Sequence, residues 1–137
     1  MTYFESAHGS VAWDESLKSV KVEWNGFSYG EGFQEILLRS ADLLMLKQGS
    51  KVLMDIRKGS VIKEEDKAWM ADVFVKHIYQ SGLRLLAMVE PGSVLAKMSV
   101  NRTIDGLGSL PYRQTSFTDV KEAERWLAST EPALAVS

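Results

Sequence analysis

The sequence contains no cysteine. That absence removes thiol nucleophiles, thiolate metal sites and disulfide bonds together, and it fits a cytoplasmic protein. Charge of one sign is scarce as well: sixteen basic residues face eighteen acidic ones, for a formal net charge of -2. The broad positive field that general nucleic-acid binding needs is missing, so no nucleic acid is expected as a partner. No apolar run approaches the roughly 20 residues that span a bilayer. The opening MTYFESAHGS has neither a basic leader nor an apolar segment. Neither membrane insertion nor processing is therefore expected. What is present is a chain of 137 residues, 45% hydrophobic and 25% charged. These are globular proportions, and the length suits one domain that buries roughly two-thirds of its extended surface. A single domain over 1–137 is expected, with its core in about 10–127 and a frayed tail in 128–137, where no period is visible.

Two periods organise the interior. SVKVEW places Val20, Val22 and Trp24 on one side and Lys21 and Glu23 on the other, the alternation of a half-buried strand, and VAW (Val11 to Trp13) supplies an antiparallel partner across the turn DESLK. From Gly30 to Leu46 the apolar residues Phe33, Ile36, Leu37, Ala41 and Leu44 recur every three or four positions, which predicts an amphipathic helix. Gly49 suits the left-handed position after it. KVLMDI predicts a strand, Glu64 to Gln80 a helix stopped at Gly82, and LRLLAMV a strand apolar enough to be covered on both faces. Ser93 is a candidate N-cap for a helix over Val94 to Ile104, with Val94, Leu95, Met98 and either Val100 or Arg102 in register. PYRQTSF is a short strand candidate, and Asp119 with Glu122 opens a last helix whose stripe is Val120, Ala123, Trp126 and Leu127. Strands alternating with helices predict an α/β fold: a mixed, mostly parallel sheet of about five strands, an N-terminal antiparallel hairpin and about four helices.

Open sheets of this kind gather binding groups beyond the carboxyl ends of their parallel strands. The junction VLMDIRKGSVIKEEDKAWM lies there. Asp55 and Arg57, two apart, leave the same face if the strand continues. They read either as an acid-base pair offered to a ligand or as a charge pair that orders the loop. RKGS suggests an anion nest, yet it lacks the spacing of a nucleotide-binding loop, and Glu64, Glu65 and Asp66 occupy the helix start where an anion would sit. The helix that follows is apolar around most of its circumference, with Trp69, Met70, Val73 and Phe74 alternating with Ala68, Ala71, Val75 and Ile78. Such a helix is covered on more than one side, by the sheet and a neighbouring helix or by a second subunit in a homodimer.

Little else carries chemistry. His8 and His77 have no metal-ligand spacing, no serine lies in G-x-S-x-G, and neither a metal, a cofactor nor a catalytic residue is assigned. The tryptophans Trp13, Trp24, Trp69 and Trp126 fall on apolar positions, as core residues do. Met70, Met88 and Met98 suit an adaptable apolar groove or ordinary packing.

The order hairpin, helix, strand, helix, strand, helix, strand, helix, together with VLMDIR, EEDKAWM, LAMVEPGSVLAKMSVNRTID and FTDVKEAERWL, resembles the SpoIIAA-like, or STAS-like, domains, and more narrowly a bacterial branch of single-domain members. The likeness runs from about Ser10 to Leu127. It implies the fold of sulfate-transporter C-terminal domains and anti-sigma-factor antagonists. The antagonists carry a phosphorylatable serine at the start of the helix after the strand matching VLMDI; here that helix opens with Lys63, Glu64, Glu65 and Asp66, and the nearest hydroxyl is Ser60 in the loop. A permanent acidic patch that imitates a phosphorylated surface and simple capping of the helix dipole are both compatible with those acids.

The expectation is a non-enzymatic cytoplasmic module that binds a protein partner or a small ligand, with regulation and homodimerisation as further expectations. Its contact residues are expected among Asp55, Arg57, Ser60, Glu64, Trp69 and Met70. The alternative is a carrier or sensor whose apolar pocket includes Met70, Phe74, Met88 and Met98. An enzyme using Asp55 with Arg57 or His77 is a third reading.

Overall fold

In a computed structural model describing residues 2–131, six strands form one sheet in the order of the chain: β1 (Thr2–Ser6), β2 (Gly9–Asp14), β3 (Ser19–Gly26), β4 (Lys51–Gly59), β5 (Leu85–Val89) and β6 (Arg113–Phe117). The first three pair antiparallel, and β3 to β6 run parallel. The helices are α1 (Gly30–Leu46), α2 (Glu64–Trp69), a π-helical turn (Met70–Phe74), α3 (Val75–Gln80), α4 (Val94–Gly106) and α5 (Val120–Ser129). The α2 segment, the π turn and α3 run on with helical dihedrals, so they make one rod and the fold has four main helices.

The α/β architecture is as the sequence predicts, with one strand more than the five expected. The extra strand is β1, inside the polar opening segment. Only Phe4 of its residues packs against the core, so burial leaves almost no period to read, and backbone pairing with β2 places the strand. At the other end α5 reaches Ser129, which corrects the start of the expected tail, since Ala128 and Ser129 continue a helix. Residues 132–137 of that tail lie outside the described residues.

Crossovers between successive parallel strands, all of one hand, put their helices on one face. There α1, the π turn, α3 and α4 bury Phe33, Ile36, Leu37, Phe74, Ile78 and Val100 against Val20, Val22, Val52, Met54 and Leu86. The opposite face is covered by α5, whose Ala123 and Leu127 pack on Leu53, Leu85, Ala87 and Val89. The Lys51 amine donates to the Leu127 carbonyl, filling an acceptor that the end of α5 leaves open. Hence β5 is apolar throughout, whereas β3 alternates buried Val20, Val22 and Trp24 with outward Lys21 and Glu23.

Local signals act where expected, with two corrections. The Ser93 hydroxyl accepts from the Ala96 N–H at 3.0 Å and the Asp119 carboxylate from the Lys121 N–H at 3.3 Å, so both caps form. After α1 the left-handed residue is Gln48 (φ 54°), not Gly49. Gly49 answers a different need: a Cβ there would lie 3.1 Å from Leu44 Cδ1 and 3.2 Å from Trp13 Cζ3. On α4 most of the expected apolar face points outward. Val94 and Leu95 are 72% and 73% exposed, whereas Val100 of that register is buried, with Ala96 and Thr103 beside it on the inner face. Ala96 and Thr103 are small enough to let the helix approach the sheet closely, and they are too weakly apolar to outvote Val94 and Leu95 in a reading of spacing.

Candidate functional site

Asp55 and Arg57 stand near the carboxyl end of β4 on the face covered by α5. Between Asp55 and Lys58, β4 carries one residue more than the matching stretch of β3, a bulge that turns Arg57 back on its neighbour. The Asp55 carboxylate accepts from Arg57 Nε at 3.0 Å, from Nη2 at 2.8 Å and from the Arg57 backbone N–H at 3.1 Å. Burial pushes the Asp55 carboxyl up, and the hydrogen bonds and charge of Arg57 overcome that push, holding it below the usual carboxylate range. The guanidinium is in turn raised above its ordinary value by those bonds and by the Asp55 charge. The acid is buried and occupied by its own neighbour, which is the arrangement of a loop-ordering pair.

The other face holds a cavity of about 80 Å³ between the helix layer and the sheet. Its floor is Trp24, Met54, Ile56, Leu86, Met88 and Gln114 from four strands, and its roof is built from Phe33 and Leu37 of α1, Met70 and Phe74 of the π turn, and Val100, Thr103 and Ile104 of α4. No lining residue is charged, and the volume is several times the roughly 10–15 Å³ that one water requires. Trp24 anchors the wall: its ring stacks on Phe33 with centroids 5.1 Å apart, and its Nε1–H donates to Met54 Sδ at 3.0 Å. The π turn matters here. Met70 and Phe74, four apart at its two ends, share the face toward the cavity, and such turns recur at functional sites.

The six expected contact residues therefore do not converge. Asp55 and Arg57 lie across the sheet from Ser60 and Met70, which line the cavity. Trp69 is half-buried and stacks on Phe74 at 5.7 Å, and the Glu64 side chain is 85% exposed, held by Lys67 at 3.1 Å. His77, on α3, is separated from Asp55 by the sheet as well. Of the residues expected in an apolar pocket, Met70, Phe74 and Met88 line the cavity and Met98 does not; it is 47% exposed on the outer side of α4. The acidic helix start is not a uniform surface patch either. Asp66 is buried and accepts from the Gly30 N–H at 3.1 and 3.2 Å, so it caps α1 rather than its own helix.

The polar side chains at the cavity are Ser28, Ser60, Thr103, Tyr112 and Gln114, all uncharged. The Thr103 hydroxyl donates to the Ser99 carbonyl at 2.8 Å, which commits its proton. Tyr112 is 6% exposed, and its hydroxyl makes no hydrogen bond to any described residue. Burial pushes its phenol up to about 12. Ile104, Tyr112 and Gln114 also line a more polar, open groove between the end of α4 and β6, with Asn101, Asp105 and Ser116 on its walls. These three form the partition between cavity and groove. Nothing local in the sequence marks Tyr112, Trp24 or Val100 as neighbours, because the sheet and crossovers bring them together from segments far apart in the chain.

Comparison with known proteins adds one distant likeness. No family model matches the chain, and no solved structure matches it. A primary amine oxidase of Klebsiella aerogenes is 28% identical over 131 residues, covering 83% of this chain. The chain spans 17% of that oxidase's length.

Proposed function

We infer that this chain is a non-catalytic module that takes up a small, uncharged, largely apolar molecule in the cavity beneath α4 and the π turn, as a carrier or sensor. The observation that carries this reading is the cavity itself: about 80 Å³, uncharged, walled by sheet, α1, α4 and a π turn. Volume of that kind inside a core forfeits packing, so a fold that keeps it gains when a ligand restores the contacts. Met54, Met70 and Met88 give the wall side chains that adapt to different shapes. A protein contact centred on Asp55 and Arg57 has weaker support, since the pair is closed on itself. The residues quoted above for the SpoIIAA-like resemblance support a cytoplasmic, bacterial, STAS-like module. The amine oxidase likeness covers too little of that enzyme to bring its activity with it.

The reading is tested with toluene as probe, by NMR titration of methyl-labelled protein. Saturable shifts are expected at Met70 and Met88 in the wild type. Val100→Phe, which fills the cavity from α4, is expected to abolish them while leaving the melting temperature equal or higher. Absence of saturable shifts in the wild type, or unchanged binding in a folded Val100→Phe protein, would remove the cavity as a binding site.

A further inference from the structure

The inference rests on the cavity reading and concerns what its ligand must carry. Tyr112 and Ser28 are lining residues, each 6% exposed, whose hydroxyls make no hydrogen bond among the described residues, and of the two only Tyr112 also borders the groove; Thr103 spends its proton on the Ser99 carbonyl, and the indole of Trp24 spends its own on Met54. A buried tyrosine hydroxyl ordinarily finds a hydrogen-bond partner. No fully buried side-chain nitrogen or oxygen among the described residues lacks one. With Tyr112 unpartnered, its oxygen must therefore keep a little accessible surface, and the open space beside Tyr112 is the cavity and the groove it separates.

We propose that the cavity selects uncharged molecules bearing a hydrogen-bond acceptor, a ketone or ether oxygen, which accepts from the Tyr112 hydroxyl while the hydrocarbon part lies among Trp24, Phe74 and Met88. A charged ligand is excluded because the lining offers no counter-charge, and desolvating an unpaired ion in such surroundings is costly. Burial keeps the phenol protonated through the physiological range, so Tyr112 is present as a donor. The ligand enters from the groove side, past Ile104 and Gln114, which line both spaces. Specificity then arises from the Tyr112 hydrogen bond in a site that is mostly apolar, the usual division of labour in small-molecule pockets.

Two isosteric probes separate this proposal from the reading beneath it: cyclohexanone, whose oxygen accepts, and methylenecyclohexane, which has the same shape and no acceptor. Both are titrated into the wild type and into Tyr112→Phe by NMR. The expected result is that Tyr112→Phe weakens cyclohexanone by roughly three- to tenfold and leaves methylenecyclohexane unchanged or slightly tighter. If both probes bind and the substitution treats them alike, the Tyr112 anchor is wrong while the cavity stands. If neither binds the wild type, the cavity reading fails and takes the anchor with it. Should Tyr112→Phe fold poorly, the infrared carbonyl stretch of cyclohexanone bound to the wild type decides: a shift to lower frequency relative to an alkane solvent supports the hydrogen bond, and its absence overturns it.

Discussion

The carboxylate of Asp55 is enclosed by Arg57, receiving two guanidinium bonds and one backbone bond from the same residue. A buried acid satisfied from two positions away fixes the bulge at the end of β4, and through it the path of the chain toward Ser60 and the cavity. The pair is better understood as the hinge-pin of that loop than as a reactive couple.

Removing the cation exposes what the pair contributes. Arg57→Ala leaves the Asp55 carboxylate buried without its charged partner, and a loss of about 1–3 kcal/mol is expected at pH 7. The sign with pH follows from the folded value being lowered: the stabilisation is complete above the unfolded carboxylate range, about 4, and disappears as pH falls through the folded value. In Arg57→Ala the guanidinium bonds and charge are gone and only the residue-57 backbone N–H and the Lys21 charge still oppose burial, so the carboxyl is held down less and the deficit shrinks on acidification. Urea midpoints of both proteins at pH 7 and pH 4 check this; an equal deficit at the two pH values would show that the carboxylate is not the group being stabilised.

Tyr112 titrates in the opposite sense. Its folded value of about 12 lies above the ordinary 10.0. The stabilisation it contributes is therefore whole below about pH 10 and is lost as pH rises through the folded value. Of the four tyrosines in the chain, this one is expected to ionise last in a phenolate absorbance titration. Tyr112→Phe should delete that late step and flatten the alkaline fall in stability. A wild-type titration with every tyrosine ionised near 10 would contradict the burial described here.

Gly9 is a backbone requirement. Its φ of 154° and the collision of any Cβ with the Glu23 carbonyl oxygen leave no room for a side chain where β2 begins to pair with β3. Gly9→Ala is expected to destabilise the protein by about 2–4 kcal/mol in urea unfolding without changing the slope. A loss under about 1 kcal/mol would mean that the hairpin relaxes around the added methyl.

The parts of this fold legible in the sequence are those with strong local causes. Val20, Val22 and Trp24 alternate because one face of β3 is wet, and Phe33 to Leu44 keep helical spacing because one stripe of α1 is dry. Where burial is weak, as in β1, or is achieved by small residues, as on α4 with Ala96 and Thr103, spacing misleads. The site was legible only in fragments. Met70, Phe74 and Met88 share a cavity as a loose apolar pocket would require, but Asp55 and Ser60, five residues apart, end on opposite sides of the sheet, Asp55 within β4 and Ser60 in the loop just past its end. The π turn leaves no trace in composition, since widening a helix by one residue changes no residue type.

Asp66 holds the first N–H of α1 from its place on α2, one turn ahead of Met70 in the cavity roof. The same segment carries Lys63 over the ring of Tyr29, just before α1 begins, at 4.5 Å. Cavity roof, helix start and surface aromatic are thus geared to one another. A backbone shift at Met70, as distinct from a change of its side-chain rotamer, would bear on the Asp66 bond to Gly30 and on Tyr29, which lies on the surface.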